Sequence, residues 1–190
     1  VSHDVLTTER AILRLAEERE AKLVLDYFVR NRAHLAPWEP APPTGFYTEA
    51  FWLERLAHFR RERAAGTSAR FHVFEKPSGL VIGSIGISNV VRGCFHSAHL
   101  GFGLDASREG QGLMRESLEA VIGWSWDELG LHRLEANHQP QNLKSAALLR
   151  RLGFTPIGYA RDYLFIDGKW VDHVLNQRLN PRWVAGGSTG

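Results

Sequence analysis

Between residues 97 and 137 the chain reads strand, glycine turn, helix, strand, and no other stretch restricts the fold as much. In "SAHLGFGLD", Ala98, Leu100, Phe102 and Leu104 alternate with Ser97, His99, Gly101 and Gly103. A period of two places the first set on a buried face and leaves small or polar groups on the other. Gly110 and Gly112 then flank Gln111, a helix-forming run follows over 113–129, and "LHRLEAN" at 131–137 returns as a strand. Two strands joined through a helix are expected to be parallel neighbours with a right-handed crossover.

The flanking segments predict antiparallel pairing. "VLTTERAILRLA" (5–16) reads as a first strand. "EREAKLVLDYFVRNRAHL" (18–35) reads as a helix with Leu23, Tyr27, Phe28 and Leu35 near one face. "APWEPAPPTG" (36–45) holds four prolines and predicts a stiff loop. Thr48 is placed to cap a helix that Gly66 closes. Strands follow in "SARFHVFEKP" and "LVIGSIGISNVV", with turns at Pro77-Ser78-Gly79 and Arg92-Gly93. A short helix runs from Asn142 to Gly153, and Asp167-Gly168 between two strand-like runs signals a hairpin. The class is α+β: a mostly antiparallel, mixed sheet of six to seven strands with helices on both faces. One domain is expected over 1–180, with a tail at 181–190 that ends in "AGGSTG".

At 190 residues such a domain buries about 70 % of its unfolded surface. A hydrophobic content of 44 % and charged content of 23 % are those of a globular chain, and no apolar run is long enough for a membrane span. "VSHDVLTTER" lacks the layout of a signal peptide, and the single Cys94 rules out an internal disulfide framework, so a cytoplasmic setting is expected. A net charge of +2 gives no argument for nucleic acid, but a local phosphate site needs only a few donors.

The glycine turn has two readings. Amides at a helix start have no partner in the helix, and the helix dipole favours anions there. "EGQGLM" is therefore either a pyrophosphate cradle using the amides of Gly110, Gln111, Gly112, Leu113, Met114 and Arg115, or a plain strand-to-helix turn. "GFGLDA" (101–106) fits a dinucleotide pattern in letters, but no helix opens at Ala106; a Walker A motif is absent. Asn142 and Ser145, spaced i, i+3 at a helix start, suffice as a cap and first turn. His96 and His99 stand on opposite sides of a strand and cannot share a metal ion, and no G-x-S-x-G is present, so neither a metal site nor a serine hydrolase is expected.

A strand bearing "LGFGLD", the turn "EGQGLM", a helix, a strand, and then "NHQPQNLKSAALLRRLGF" together resemble the GNAT superfamily of acetyl-coenzyme A-dependent N-acetyltransferases. "LTTERAILR", "PWEP", "SNVVRG" and "GYARDYLFIDGKWVDHVL" are similar to its RimJ/RimL branch, the ribosomal-protein N-acetyltransferases, nearer to the RimJ type. The resemblance covers residues 5–179 and implies a GNAT fold. Two positions depart from the superfamily pattern: Glu109 stands where Gln or Arg is usual, and Met114 where Gly or Ala is usual. The Glu109 side chain is expected to point to solvent, leaving the backbone as the binding element.

The resemblance implies acetyl-coenzyme A as co-substrate and no metal. The pyrophosphate falls to residues 110–115, and the pantetheine arm to main-chain groups of Phe102, Gly103 and Leu104, where 97–104 and 131–137 splay apart. Small residues at 101 and 103 would admit that arm; the bland reading is a bulge or crowded packing. Asn142 would hold a pantetheine carbonyl, and Ser145 would hydrogen-bond the departing thiolate. The glutamate that serves the RimL relatives as base corresponds to Ile157, so Glu39 in "PWEP" is the substitute candidate, with His72 and His99 behind it. Trp38, Glu39 and Asn89 are assigned to the acceptor groove, with Phe46, Tyr47 and Trp52 as flat apolar surface or core cover. The implied acceptor is the α-amino group of a protein, an alanine of a small-subunit ribosomal protein. The alternatives are a small amine or peptide antibiotic, or a non-catalytic coenzyme A-binding ribosome-assembly factor. A monomer or homodimer is expected, with no nucleic acid or membrane partner.

Overall fold

Eight strands are present in the computed structural model, which describes residues 4–184: β1 (Leu6–Thr7), β2 (Ala11–Arg14), β3 (Ala69–Glu75), β4 (Val81–Val91), β5 (Ser97–Leu104), β6 (Arg133–Glu135), β7 (Thr155–Ile166) and β8 (Lys169–Leu179). They form one sheet in the order β1-β2-β3-β4-β5-β6-β8-β7. Only β5 and β6 pair parallel, as the helical connection between them requires. The expected first strand is split in two, which takes the count to eight. Thr8 is the cause: its hydroxyl accepts from the Ala11 N–H at 3.0 Å, and its own N–H donates to the Ala11 carbonyl at 2.9 Å, so the chain folds back on itself.

The helices are α1 (Ala21–Arg30), α2 (Arg32–Leu35), α3 (Glu49–Ala64), α4 (Leu113–Asp127) and α5 (Leu143–Arg151). The expected helix over 18–35 is interrupted at Asn31. Its side-chain amide donates to the Tyr27 carbonyl at 2.9 Å and to Asp105 at 3.0 Å, while its oxygen accepts from the Ala106 N–H at 3.0 Å. Thr48 caps α3 by accepting from Phe51 N–H at 3.3 Å.

Helices cover both faces of the sheet. On one, Leu118, Val121 and Ile122 of α4 are buried against Leu13, Val73, Ile85 and Ile87. On the other, Val24 and Tyr27 of α1 and Leu56 of α3 are buried with Phe74 and Val81. Each such side chain contributes about 1.5–3 kcal/mol. The chain after β8 is docked before it could become a tail: Arg182 pairs with Asp127 at 2.8 Å, and the Trp183 ring lies 4.9 Å from that of His132. The terminal "AGGSTG" lies outside the described residues.

One irregularity positions everything that follows. β5 and β6 pair only from Ser97–Arg133 to His99–Glu135. β6 pairs with β8 through the same three residues, and beyond them the chain stays with β8 alone: Ala136 N–H donates to the Asn176 carbonyl at 3.0 Å and the Asn176 side chain donates to the Ala136 carbonyl at 3.1 Å. The Leu100–Leu104 edge of β5 is left without a neighbouring strand on that side.

Candidate active site

A cavity of about 640 Å³ opens at this splay. Its floor is built from two rows across the sheet: Arg70, Gly86 and Gly101 on β3, β4 and β5, and His72, Ser84 and Gly103 on the same three strands. Trp38 and Glu39 enter from the proline loop, and Asn142 and Ser145 from α5. The loop is held in place by Gln139, whose side-chain amide donates to the Pro37 carbonyl at 2.9 Å. Behind it Phe28 stacks on Trp52 at 4.6 Å, and the Trp52 indole N–H donates to the Phe46 carbonyl at 2.9 Å. Trp52 is therefore core cover, whereas Trp38 is exposed on the wall.

The two glycines of β5 have different reasons to be glycine. A Cβ on Gly101 would meet open space, so this position faces the cavity unobstructed. A Cβ on Gly103 would come within 3.2 Å of the Tyr27 hydroxyl and 3.3 Å of Leu35, so its smallness answers to protein packing. Glu39 lies on the same spot, its Oε1 3.6 Å from that Cβ position. Burial pushes the Glu39 carboxyl above the ordinary range while the Arg70 guanidinium pulls it back. The Tyr27 hydroxyl, fully buried next to it, has no hydrogen-bond partner among the described residues.

At the start of α5 the Asn142 Oδ1 accepts from the Ser145 N–H at 3.0 Å. The cap occupies the oxygen and leaves the Asn142 amide NH₂ free to donate into the cavity, with the Ser145 hydroxyl one turn away.

Residues 110–115 lie apart from the cavity, beyond the far end of β5. Gly110 at φ +74° and Gly112 at φ +80° hold left-handed conformations that side chains resist. The first helical bond runs from Glu116 N–H to the Gly112 carbonyl at 3.1 Å, so the N–H groups of Leu113, Met114 and Arg115 have no acceptor within the helix. Met114 turns its side chain into the core, as a backbone-only role allows. Arg10 braces the turn, donating to the Gln111 carbonyl at 2.8 Å and to Glu116 at 2.8 Å.

Several expectations are corrected. Glu109 does not point freely to solvent: it pairs with Lys144 on the first turn of α5 and lies 3.4 Å from His34. Asn89 does not line the cavity; it sits at φ +52° in the bulge where β4 and β5 shift register, bonded to His99 at 3.0 Å. Of the β5 residues assigned to the arm, Phe102 and Gly103 line the cavity, and Leu104 lies beyond it at the end of the same unpaired edge. His72 is committed to structure, its Nδ1 accepting from Ala16 N–H at 3.1 Å, and burial lowers its pKa to about 3. Ile157 is an exposed β7 residue outside the cavity. Cys94 is exposed in its turn. Among the described residues no cluster of metal-ligating side chains occurs, and no helix is long and apolar enough to cross a membrane.

Arg70, His138 and His173 line the cavity and escaped the sequence reading. A signal existed for Arg70: within β3, Arg70 and His72 at i, i+2 interrupt the apolar run "ARFHVF", so one of its faces must look onto something polar. For His138 and His173 no local pattern distinguishes them from packed histidines.

Residues 10–155 match the family described as acetyltransferase (GNAT) domain. The chain is 40% identical over 181 residues to the [ribosomal protein uS5]-alanine N-acetyltransferase of Escherichia coli K12, covering 95% of this chain and 93% of that protein. Among solved structures it is similar to the ribosomal-protein-S5-alanine acetyltransferase of Vibrio fischeri, with a TM-score of 0.90 at 37% identity over 95% of this chain and 98% of that one. It is also similar to Mycobacterium smegmatis RimJ in complex with CoA-disulfide, with a TM-score of 0.87 at 28% identity over 94% and 88%.

Proposed function

The chain belongs to the GNAT acetyltransferase family, and from that premise we propose that it acetylates the N-terminal alanine of ribosomal protein uS5, with acetyl-coenzyme A as donor. The observation that carries this reading is the unpaired edge of β5, bounded at one end by the free amides of α4 and at the other by Asn142 and Ser145. An extended arm bearing amides fits such an edge as a strand would, and a diphosphate suits a helix start opened by two left-handed glycines. Arg10 adds a cation there, its Nη2 3.5 Å from where a Gly112 Cβ would stand.

The chemistry is direct transfer. The acceptor nitrogen bonds to the thioester carbonyl carbon and the carbon–sulfur bond breaks; the amine's proton goes to a base, which releases it to solvent, and the thiolate takes the Ser145 hydroxyl proton, which Ser145 regains from solvent. A thiol with pKa about 8.5 is a fair leaving group and needs only modest help. A protein α-amino group, with pKa about 7.7–8.0, is roughly a tenth or more neutral near pH 7, where a lysine is almost wholly charged. A weak base is then sufficient. Glu39 takes that role: burial raises its pKa against the pull of Arg70, and it stands in the proline loop over Gly103 of β5.

Acetyl transfer to short peptides that differ in their first residue tests the acceptor, with Ser145→Ala alongside. Alanine-initiated peptides are expected to be turned over in preference to free small amines. Ser145→Ala is expected to lower kcat roughly ten- to a thousandfold with little change in coenzyme A affinity, as for loss of one proton donor. Unchanged turnover removes Ser145 from the mechanism.

A further inference from the structure

We infer that the cavity holds a carboxylate-binding subsite built on Arg70 and Arg55, so that the preferred acceptor carries an acidic side chain within its first five residues. This rests on the acceptor being a protein N-terminus.

Arg70 reaches the cavity floor because the position opposite it on the neighbouring strand is a glycine. It stands opposite Gly86, and its guanidinium lies where a side chain at 86 would begin: a Cβ there would be 2.6 Å from Nη1 and 2.7 Å from Cζ. The glycine lets the arginine lie across β4 toward Gly101, the next residue of the same row. Adjacent strands are about 4.8 Å apart, so the guanidinium sits within roughly one strand spacing of the β5 edge.

There it has no ion pair: Glu39 and Glu62 act on it only through space. Its contacts are the Ser84 hydroxyl at 3.4 Å and the Phe59 ring at 5.0 Å. Arg55, from α3, stacks on the same ring at 4.7 Å. Neither has a carboxylate within ion-pair distance among the described residues. By contrast, the arginines that brace the fold are paired, as Arg10 is with Glu116, Arg14 with Glu20, Arg30 with Asp105 and Arg108 with Glu75.

Two cations sharing one aromatic ring repel each other. Burial, then the proximity of Arg55, holds the Arg70 pKa below that of an ordinary arginine. Arg32, stacked on Tyr47 at 4.6 Å, adds a third guanidinium to the lining. Glu39 and Asp167 are the carboxylates that line the cavity, and burial disfavours the charge on Glu39. The cavity therefore carries an excess of cation, which Glu39 and Glu62 offset only in part and a bound carboxylate would relieve. A planar guanidinium on an apolar ring takes a carboxylate through two parallel N–H···O bonds, a geometry that a peptide carbonyl cannot match. An extended acceptor advances about 3.3 Å per residue, so the side chains of its second to fifth residues pass over this floor.

The test uses alanine-initiated hexapeptides that differ only by Glu or Gln at one of positions two to five. Each is assayed for kcat and KM, and for calorimetric binding to the protein in the presence of coenzyme A. At one position at least, the Glu peptide is expected to exceed its Gln partner in kcat/KM by roughly ten- to a hundredfold, mostly in KM, the worth of hydrogen bonds to a charged group. Arg55→Gln, at an exposed helix position where folding is not at risk, and Arg70→Gln are expected to bring that ratio toward one and to weaken binding of the Glu peptide. Equal kinetics for Glu and Gln at every position overturn the subsite, as does a loss in Arg55→Gln that is the same for both peptides. If no peptide is turned over while coenzyme A still binds, the N-terminal acceptor itself fails and takes the subsite with it.

Discussion

With the diphosphate on residues 110–115 as proposed, Glu109 places a carboxylate where it is tolerated least, immediately before the glycine turn. It also holds Lys144, the one cation on the first turn of α5, in an ion pair that spans from the turn to that helix. Removing the charge should help twice, by lifting a repulsion and by freeing the lysine. Glu109→Gln is expected to tighten coenzyme A binding about two- to fivefold, the worth of a largely exposed ion pair, and the gain should shrink as salt is raised. Calorimetry at two ionic strengths measures it; unchanged or weaker affinity would count against the 110–115 cradle. At this scale the residues legible in the sequence are those whose letter carries their own conformation or bond. Gly110 and Gly112 announce a left-handed backbone, and Asn142 with Ser145 announces a cap. Arg70 is not legible in that way. Its role depends on Gly86 standing opposite, and register between strands is written nowhere in either segment alone.

The break between α1 and α2 shows how an element's ends are decided from afar. A single helix over 18–35 is a fair reading of local pattern, yet Asn31 and Arg30 are claimed by Asp105, more than seventy residues away. Asp105 accepts from Arg30 at 2.6 Å, from Asn31 at 3.0 Å and from the Ser107 hydroxyl at 2.7 Å. Burial opposes its charge, but these bonds together hold its pKa well below the usual carboxylate range. The folded pKa is thus depressed relative to the unfolded chain. The stability it contributes is fully present above the unfolded pKa of about 3.9 and is lost as pH falls from there toward the folded value. Asp105→Asn is expected to destabilise by about 1–3 kcal/mol at pH 7. The gap to the parent protein should narrow below about pH 4, as read from denaturant unfolding at several pH values. A gap that is constant with pH would assign the loss to shape and not to charge. The same network fixes the β5–α4 connection, so the fold of the first helices and the position of the glycine turn are one problem.

Across the whole molecule the sheet does two opposed things: it pairs its strands for stability, and it parts β5 from β6 where the proposed donor would lie. The parallel pair was legible, because a strand-helix-strand succession admits little else, but the parting was not. It depends on β6 being drawn to β8 through Asn176, whose side chain donates to the Ala136 carbonyl at 3.1 Å and whose N–H donates to Asn137 at 3.2 Å. Stability and function should therefore separate by mutation. Ile122→Ala, on the buried face of α4, is expected to cost about 2–5 kcal/mol while leaving coenzyme A affinity and kcat of the folded fraction near their parent values. Asn176→Ala leaves a buried carbonyl short of a donor and should cost about 1–3 kcal/mol, less than or similar to the core change. Its effect on binding and turnover should nevertheless be the larger, because the edge of β5 and the start of α5 lose their set separation. Unfolding curves together with active-site-titrated kinetics compare the two. If activity per folded molecule fell in proportion to lost stability in both variants, the splay would have no standing apart from the rest of the core.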